Sequence, residues 1–226
     1  MTDKVVIVTG AFGALGRVVA ARLGEAGARV VAVDHTSQPP EGLAAAKVVG
    51  GIDLTDAAQA NQVMEAVAGE LGRIDGVVNI AGGFVWETVG GAGNDSWERM
   101  HALNLITALN ASRAALPYLE QSPAGRIVNI GAKGALSAAN GMGAYAASKA
   151  GVHRLTEALA EEYKGKVTVN AVLPSIIDTP ANREAMPDAD PAAWVTAQEL
   201  AAVIAFLVSD EASGVTGALI PVSGRV

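Results

Sequence analysis

Tyr145 and Lys149 have the side-chain types and the spacing of a proton-transfer pair. They belong to the run Tyr145-Ala146-Ala147-Ser148-Lys149, and side chains four positions apart share one face of a helix. A nearby ammonium stabilises a phenolate, so Lys149 is expected to lower the pKa of the Tyr145 phenol and let it hand a proton to a developing oxyanion. A lone Tyr and Lys at this spacing usually belong to a solvated helix face, so the interpretation depends on other motifs.

A glycine-rich loop near the start of the chain has the form of a phosphate-binding turn. It reads TGAFGALG over residues 9–16, between an apolar run and a segment of helical period. The first glycine permits a tight turn, the second lets the backbone approach a pyrophosphate, and the third lets a helix pack closely on a strand. This loop predicts a dinucleotide site whose candidate contacts are Gly10, Phe12, Gly13, Ala14, Leu15 and Gly16.

Asp34 ends the second apolar run and lies 18 residues after Gly16. An acid at this place accepts hydrogen bonds from the adenosine ribose hydroxyls. The same carboxylate repels the 2′-phosphate of NADP, and neither Val33 nor His35 carries a fixed positive charge to attract that phosphate. The predicted cofactor is NAD, with NADH preferred over NADPH.

Short β-branched runs alternate with longer segments rich in Ala and Leu. Strands that are apolar on both faces are typical of a parallel sheet covered by helices. We predict the α/β class: a single doubly wound Rossmann-type domain over residues 1–226, with about seven parallel strands, right-handed crossovers and helices on both faces. The strands are predicted at residues 5–8, 30–33, 77–80, 127–130, 167–173 and 219–222. The helices are predicted near residues 14–25, 56–70, 95–120, 144–163 and 196–208.

Composition narrows the classes of partner. The 226 residues are 50% apolar, which suits one large domain with a sizeable core, and the net charge of -7 without a basic cluster argues against nucleic acid. The longest apolar run, residues 200–208, is too short for a membrane span. The chain begins MTDKVVIVTG and has no cysteine, so a cytoplasmic location is expected. The three histidines (His35, His101 and His153) are far apart in the sequence and have no acids or cysteines at ligand spacing, so no metal site is expected.

These motifs together resemble the short-chain dehydrogenase/reductase family over nearly the whole chain. The resemblance implies that Tyr145 is the proton donor, that Lys149 binds the nicotinamide ribose, and that Asn104 holds a water of the proton relay. The two long helices would pair subunits, giving a homodimer or homotetramer that acts on a small-molecule substrate. Tyr145 and Lys149 would also contact the cofactor, together with Asp53, Leu54, Asn79, Ala81, Gly82, Pro174, Ile177 and, at the carboxamide, Thr179.

One residue departs from the family's pattern. The substrate-orienting Ser of the family lies 13 residues before the Tyr, and that position is Ala132. Part of the usual carbonyl clamp is therefore expected to be missing. Ser137 and Ser148 lie nearby in the chain, but neither aligns with the family position, so neither is assigned to the clamp.

The departure resembles the dihydropteridine reductase subgroup, which uses the Tyr and Lys without that Ser. The segments carrying this resemblance are GAKGALSAANGMGAYAASKAGVHRL, AVLPSIIDTPANREAMPDADPAAW and Ala-Gly-Gly-Phe at residues 81–84, although Asn104 keeps the ordinary family residue. A quinonoid dihydropterin takes its proton on a heteroatom and depends less on a second hydroxyl. Trp194, which follows the lid-like segment Asn182–Pro191, is a candidate to cover such a flat substrate.

Three functions remain open at this point. The first is an NADH-dependent reductase of the dihydropteridine type, which acts on a planar conjugated acceptor. The second is an ordinary NAD(P)-dependent alcohol dehydrogenase or ketoreductase that manages without the Ser. The third is a nucleotide-binding protein without turnover, and the retention of Tyr145, Lys149 and Asn104 argues against it.

Overall fold

Seven parallel strands form one sheet in the computed structural model, which describes residues 1–91 and 93–226. The strands are β1 (Val5–Thr9), β2 (Arg29–Val33), β3 (Lys47–Val49), β4 (Gly76–Asn79), β5 (Gly125–Ile130), β6 (Val167–Pro174) and β7 (Leu219–Val222). Their order is β3-β2-β1-β4-β5-β6-β7, so the direction of winding reverses between β1 and β4. Ligands of open α/β sheets bind outside the carboxyl ends of the strands at such a switch point.

Helices connect the strands and cover both faces of the sheet. They are α1 (Ala14–Glu25), α2 (Ala57–Leu71), α3 (Asn94–Met100), α4 (Thr107–Leu119), α5 (Gly143–Glu162), α6 (Pro180–Ala185) and α7 (Ala197–Val208). A π-helical segment, His101–Ile106, joins α3 to α4. Within the described residues, no helix is both long and apolar enough to cross a membrane.

Two apolar layers follow from the two-residue period of the strands. Val6 and Val8 pack with the buried faces of α1 and α7, whereas Val5 and Ile7 pack with those of α2, α4 and α5. All four valine and isoleucine side chains of this run are fully buried. The continuous apolar run therefore serves two cores at once, and the doubly wound fold predicted from it is confirmed.

Three local features differ from the sequence prediction. The edge strand β3 has only three residues and its burial is partial, so its apolar signal was too short to detect. The helix predicted over residues 95–120 is interrupted by the π-helical segment. The short helix α6, which begins with Thr179 as its cap, was not predicted.

A side-chain bridge holds the switch point together. Thr9 Oγ1, at the end of β1, accepts hydrogen bonds from the N–H groups of Ile80 (3.1 Å) and Ala81 (3.2 Å), just beyond β4. Gly10 follows with a positive φ of 63°, and a Cβ there would lie 2.7 Å from Ala81 N. The glycine-rich loop and residues 80–82 are therefore packed against each other at the carboxyl edge of the sheet.

Candidate active site

The glycine-rich loop has the shape that a pyrophosphate requires. A Cβ on Gly16 would overlap the carbonyl oxygen of Gly10, so α1 packs directly on the loop. A Cβ on Gly13 would meet only that same oxygen, at 3.4 Å, so this side of the loop is open. The first turn of α1 has neither a side-chain cap nor an acidic residue, and its positive end is thus available to an anion. These features fit a dinucleotide.

Asp34 lies beside this loop, directly after β2. Its Oδ2 accepts the Phe12 N–H and its Oδ1 accepts the Thr36 N–H, both at 3.0 Å. His35 Nδ1 lies 3.1 Å from Oδ1, on a side chain that is mostly exposed. The buried carboxylate is thus held in a fixed orientation beside the loop, where the sequence predicted the adenosine ribose to bind.

Asp53 and Leu54, two of the predicted cofactor contacts, lie at the same edge of the sheet. The Ile52 N–H donates to the Asp34 carbonyl at 3.0 Å, which brings the following segment alongside β2. Asp53 is exposed and its Oδ1 accepts the Thr55 N–H at 2.9 Å. Leu54 is buried, and its carbonyl accepts Asn110 Nδ2 at 3.0 Å. Asp53 can contact a ligand, whereas Leu54 can offer one only part of its surface.

Tyr145 and Lys149 lie on one face of α5, next to the ends of β4 and β5. The Tyr145 ring meets the Phe84 ring edge to face, with centroids 5.0 Å apart. Lys149 Nζ donates to the Ile130 carbonyl at 2.7 Å. A Cβ on Gly82 would lie 3.5 Å from that same Nζ. The structure therefore brings the predicted pair to the switch point.

Burial controls the protonation of both groups. It raises the pKa of Tyr145 to about 12 and lowers the pKa of Lys149 to about 8. The sequence analysis expected the ammonium to lower the phenol pKa, but burial shifts this pKa in the opposite direction. Desolvation dominates because the charged form of a buried group loses its hydration, and Lys149 Nζ is directed to a backbone carbonyl.

Asn104 lies in the π-helical segment and braces the site. Its Nδ2 donates to Ser148 Oγ (2.9 Å) and to the Gly83 carbonyl (3.1 Å), while its Oδ1 accepts the Gly83 N–H (2.9 Å). Both amide hydrogens and the amide oxygen therefore have protein partners. This side chain fixes the loop after β4 against α5, and its part in a relay water stays a prediction.

At Ala132, where the sequence analysis expected the family's Ser to be missing, neither Ser137 nor Ser148 takes its place. Ala132 is buried, and its N–H donates to His153 Nε2 at 3.2 Å. Ser148 Oγ donates to the Tyr145 carbonyl at 2.7 Å and accepts Asn104 Nδ2, so it is already bonded. Ser137 is exposed. His153 was set aside in the sequence analysis, and only the folded chain shows its contact with this position.

Two exposed aromatic side chains lie near Tyr145 and the start of α5. Phe84 and Trp86 are each 59% exposed. A Cβ on Gly141 would overlap ring atoms of Trp86, and the Glu87 N–H donates to the Gly141 carbonyl at 2.8 Å. The segment 84–87 thus lies on the turn that leads into α5 and presents an apolar surface next to the phenol.

The remaining predicted residues have structural contacts within the protein. Asn79 is buried and its Nδ2 donates to Ser112 Oγ and Asn129 Oδ1, so its side chain joins β4 to β5 and α4. Pro174 ends β6, Ile177 forms a bridge with Val195, and Thr179 caps α6. Trp194 is 3% exposed, so its predicted role as a substrate cover is wrong.

Comparison with known proteins places this site in a family. Residues 4–190 match the family model described as short chain dehydrogenase. The meso-2,3-butanediol dehydrogenase of Serratia marcescens is 35% identical, over 98% of this chain and 94% of the relative. The 3-oxoacyl-(acyl-carrier-protein) reductase of Thermotoga maritima is 32% identical, over 99% and 98%.

A solved structure agrees with the sequence matches. Carveol dehydrogenase from Mycobacterium avium, determined in complex with NAD, superimposes with a TM-score of 0.86 at 27% identity, over 99% of this chain and 97% of that one. By name, the two relatives are an alcohol dehydrogenase and a ketoreductase. These matches do not support the expected membership of the dihydropteridine reductase subgroup. From its motifs, its fold and these matches, the chain belongs to the short-chain dehydrogenase family of NAD(P)-dependent oxidoreductases.

Proposed function

We propose that this protein is an NAD-linked oxidoreductase that interconverts a small alcohol and its carbonyl compound. The observation that carries the proposal is the position of Lys149, on one face of α5 with Tyr145, next to Gly82 in the segment that packs on the glycine-rich loop at the switch point of the sheet. The printed activities of the relatives favour an alcohol and carbonyl pair over the pterin that the sequence analysis placed first.

Tyr145 and Lys149 have different proposed roles in the reaction. A nicotinamide held at this site would supply the hydride in reduction and accept it in oxidation. Tyr145 Oη gives its proton to the carbonyl oxygen in reduction and takes the hydroxyl proton in oxidation. With its pKa raised to about 12, the phenol is protonated at neutral pH, which suits the reducing direction. Lys149 is proposed to hold the nicotinamide ribose while the Ile130 carbonyl fixes its ammonium.

The preference for NADH over NADPH is proposed from Asp34. A carboxylate held by the N–H groups of Phe12 and Thr36 favours ribose hydroxyls and repels a 2′-phosphate. The exposed His35 is the one titratable neighbour in direct contact with it among the described ion pairs. NAD is accordingly the cofactor that the fixed geometry favours.

A second candidate substrate is a planar conjugated acceptor such as a quinonoid dihydropterin. Two features favour it: the sequence analysis expects the family's Ser at the position of Ala132, and the exposed aromatic side chains of Phe84 and Trp86 lie against Tyr145 and Gly141, respectively. Stacking on such faces orients a flat molecule, and an acceptor protonated on a heteroatom needs no second hydroxyl.

Turnover with NADH against three substrate classes tests the proposal. Small ketones and diketones, quinones, and quinonoid dihydropterin are each supplied to the wild-type protein and to Tyr145→Phe. Turnover of a ketone that depends on Tyr145 supports the first candidate. Turnover confined to the flat acceptors replaces it with the second. No Tyr145-dependent turnover with any class, at NADH concentrations shown to saturate binding, contradicts both.

A further inference from the structure

His153 is a buried imidazole that the proposed chemistry does not use. It lies in α5, four residues after Lys149 and on the same helix face. The residue is 2% exposed. Burial lowers the pKa of His153, and the positive charges of Arg154 and Lys149 lower it further. The packing and hydrogen bonding of this buried, neutral imidazole beside Lys149 indicate what it does.

The imidazole occupies the space of a missing side chain. A Cβ on Gly131 would lie 2.5 Å from His153 Nε2 and 2.7 Å from its Cδ2. The Gly131 backbone is itself held by β6, because its N–H donates to the Val172 carbonyl at 2.9 Å. The backbone is thus fixed at Gly131, and a larger residue there requires the imidazole to move.

The imidazole also bonds to the next residue. The Ala132 N–H donates to His153 Nε2 at 3.2 Å. A backbone N–H can only donate, so Nε2 is unprotonated and the neutral ring carries its proton on Nδ1. A hydrogen bond at Nε2 therefore ties α5 to the residue that stands at the family's Ser position.

Two side chains of α5 hold the backbone at and just after the end of β5. Lys149 Nζ bonds to the carbonyl of Ile130, and His153 Nε2 bonds to the N–H of Ala132. These two backbone groups are separated by one residue in the chain, and the two side chains are separated by one helical turn. Movement of the strand end at either point changes the carbonyl that directs Lys149.

We propose that His153 is a positioning residue for this site: it fills the space at Gly131, holds Ala132 by its N–H, and thereby fixes the Ile130 carbonyl that orients Lys149. The consequence for turnover rests on the proposed function, because Lys149 serves the reaction there. The consequence for packing does not depend on it.

Three substitutions separate the hydrogen bond from the volume. In His153→Gln, the amide Oε1 is as many bonds from Cβ as Nε2 is, so it can accept the Ala132 N–H. In His153→Asn the amide is one methylene shorter and cannot reach. His153→Leu keeps an apolar bulk with no acceptor. Glu162→Gln is the control, since Glu162 is exposed at the end of the same helix and is not among the charges that act on His153.

We expect His153→Asn and His153→Leu to lower kcat by about 10- to 100-fold, the effect of an unpaired buried N–H that shifts a catalytic neighbour. His153→Gln should restore kcat to within about 3-fold, and substrate KM should change less than kcat. If His153→Leu does not fold, the Gln and Asn pair carries the comparison. Equal kcat in Gln and Asn, or wild-type kcat in Leu, overturns the positioning role.

A stability cycle tests the packing without any substrate. Gly131→Ala is made in the wild type and in His153→Ala, and each free energy of unfolding is measured in urea. We expect the cost of Gly131→Ala to be smaller in His153→Ala, because the two closest atoms that its Cβ would meet belong to the imidazole, while Leu173 Cδ1, at 3.1 Å, is present in both backgrounds. An equal cost in both backgrounds overturns the contact. This outcome is independent of whether any alcohol or carbonyl compound is a substrate.

Discussion

Asp34 Oδ2 accepts the N–H of Phe12 at 3.0 Å, and this bond joins the end of β2 to the middle of the glycine-rich loop. The acid that we propose selects the ribose is therefore bonded directly to the loop that we propose receives the phosphates. A change at Asp34 affects the position of the loop as well as the local charge.

The first prediction concerns the effect of the Asp34 carboxylate on cofactor preference. We expect kcat/KM with NADH to exceed that with NADPH by more than about 100-fold, because NADPH loses charge-assisted bonds to the ribose and gains a like-charge contact. Asp34→Ala should reduce the preference to less than about 10-fold, mainly by weakening NADH. Glu41→Gln, an exposed acid outside the loop, is the control. Equal efficiency of the wild type with both cofactors would contradict the assignment.

Tyr145→Phe removes the acid and keeps the ring that contacts Phe84. Turnover should fall by about 100- to 10,000-fold, the usual contribution of a positioned general acid. NADH affinity, measured by the fluorescence of the bound cofactor, should change little. Tyr163→Phe, at the end of α5, is the control. Near wild-type turnover of Tyr145→Phe on the true substrate would eliminate the proton-donor role.

The pH dependence should report Lys149. Its pKa is lowered to about 8, so the ammonium is present below that pH and is lost above it. We expect kcat/KM for NADH, which reflects groups of the free enzyme, to fall as the pH rises through about 8. Tyr145, with its pKa raised to about 12, stays protonated over this range. In Lys149→Met, kcat/KM for NADH should be low and should not change with pH. If kcat/KM in that variant still declines through pH 8 as in the wild type, the titration belongs to another group.

Ala132→Ser separates the two candidate substrate classes. A hydroxyl there adds one hydrogen bond to a developing alkoxide, so turnover of small ketones should rise by about 10- to 1,000-fold. Turnover of a flat conjugated acceptor should stay level or fall. The measurement is kcat/KM for one compound of each class in both proteins. Efficient ketone reduction by the wild type, with no gain in Ala132→Ser, means that another group has replaced the Ser.

Gly141 allows the aromatic segment to lie next to the start of α5. Gly141→Ala adds a Cβ that overlaps Trp86, at a positive φ of 73°. Gly165→Ala is the matched control, since its φ is 81° and its Cβ would meet nothing within 4 Å. The control should lose about 1 to 2 kcal/mol of unfolding free energy. Gly141→Ala should lose more and should also lower kcat/KM; equal effects on both quantities would contradict the Trp86 contact.

The parts of the site that depend on local spacing were accessible from the sequence. The glycine-rich loop and the Tyr145 and Lys149 pair each lie within eight residues or fewer of chain, so one turn or one helix face brings their members together. The contact between Ala132 and His153 joins residues 21 apart, and it exists only because α5 packs across the end of β5. The pKa of Tyr145 likewise depends on burial, which residue types alone do not report.

The π-helical segment His101–Ile106 has a consequence for how related sequences are compared. A π turn holds one more residue than an α turn, so α3 and α4 are out of phase by about 100° of rotation. Deleting one residue here would restore a continuous α-helix and turn either Met100 or the buried face of α4 away from the core. A one-residue deletion in this segment would therefore rotate Asn104 relative to Ser148. The hydrogen bond between these two side chains depends on the extra residue of the π turn.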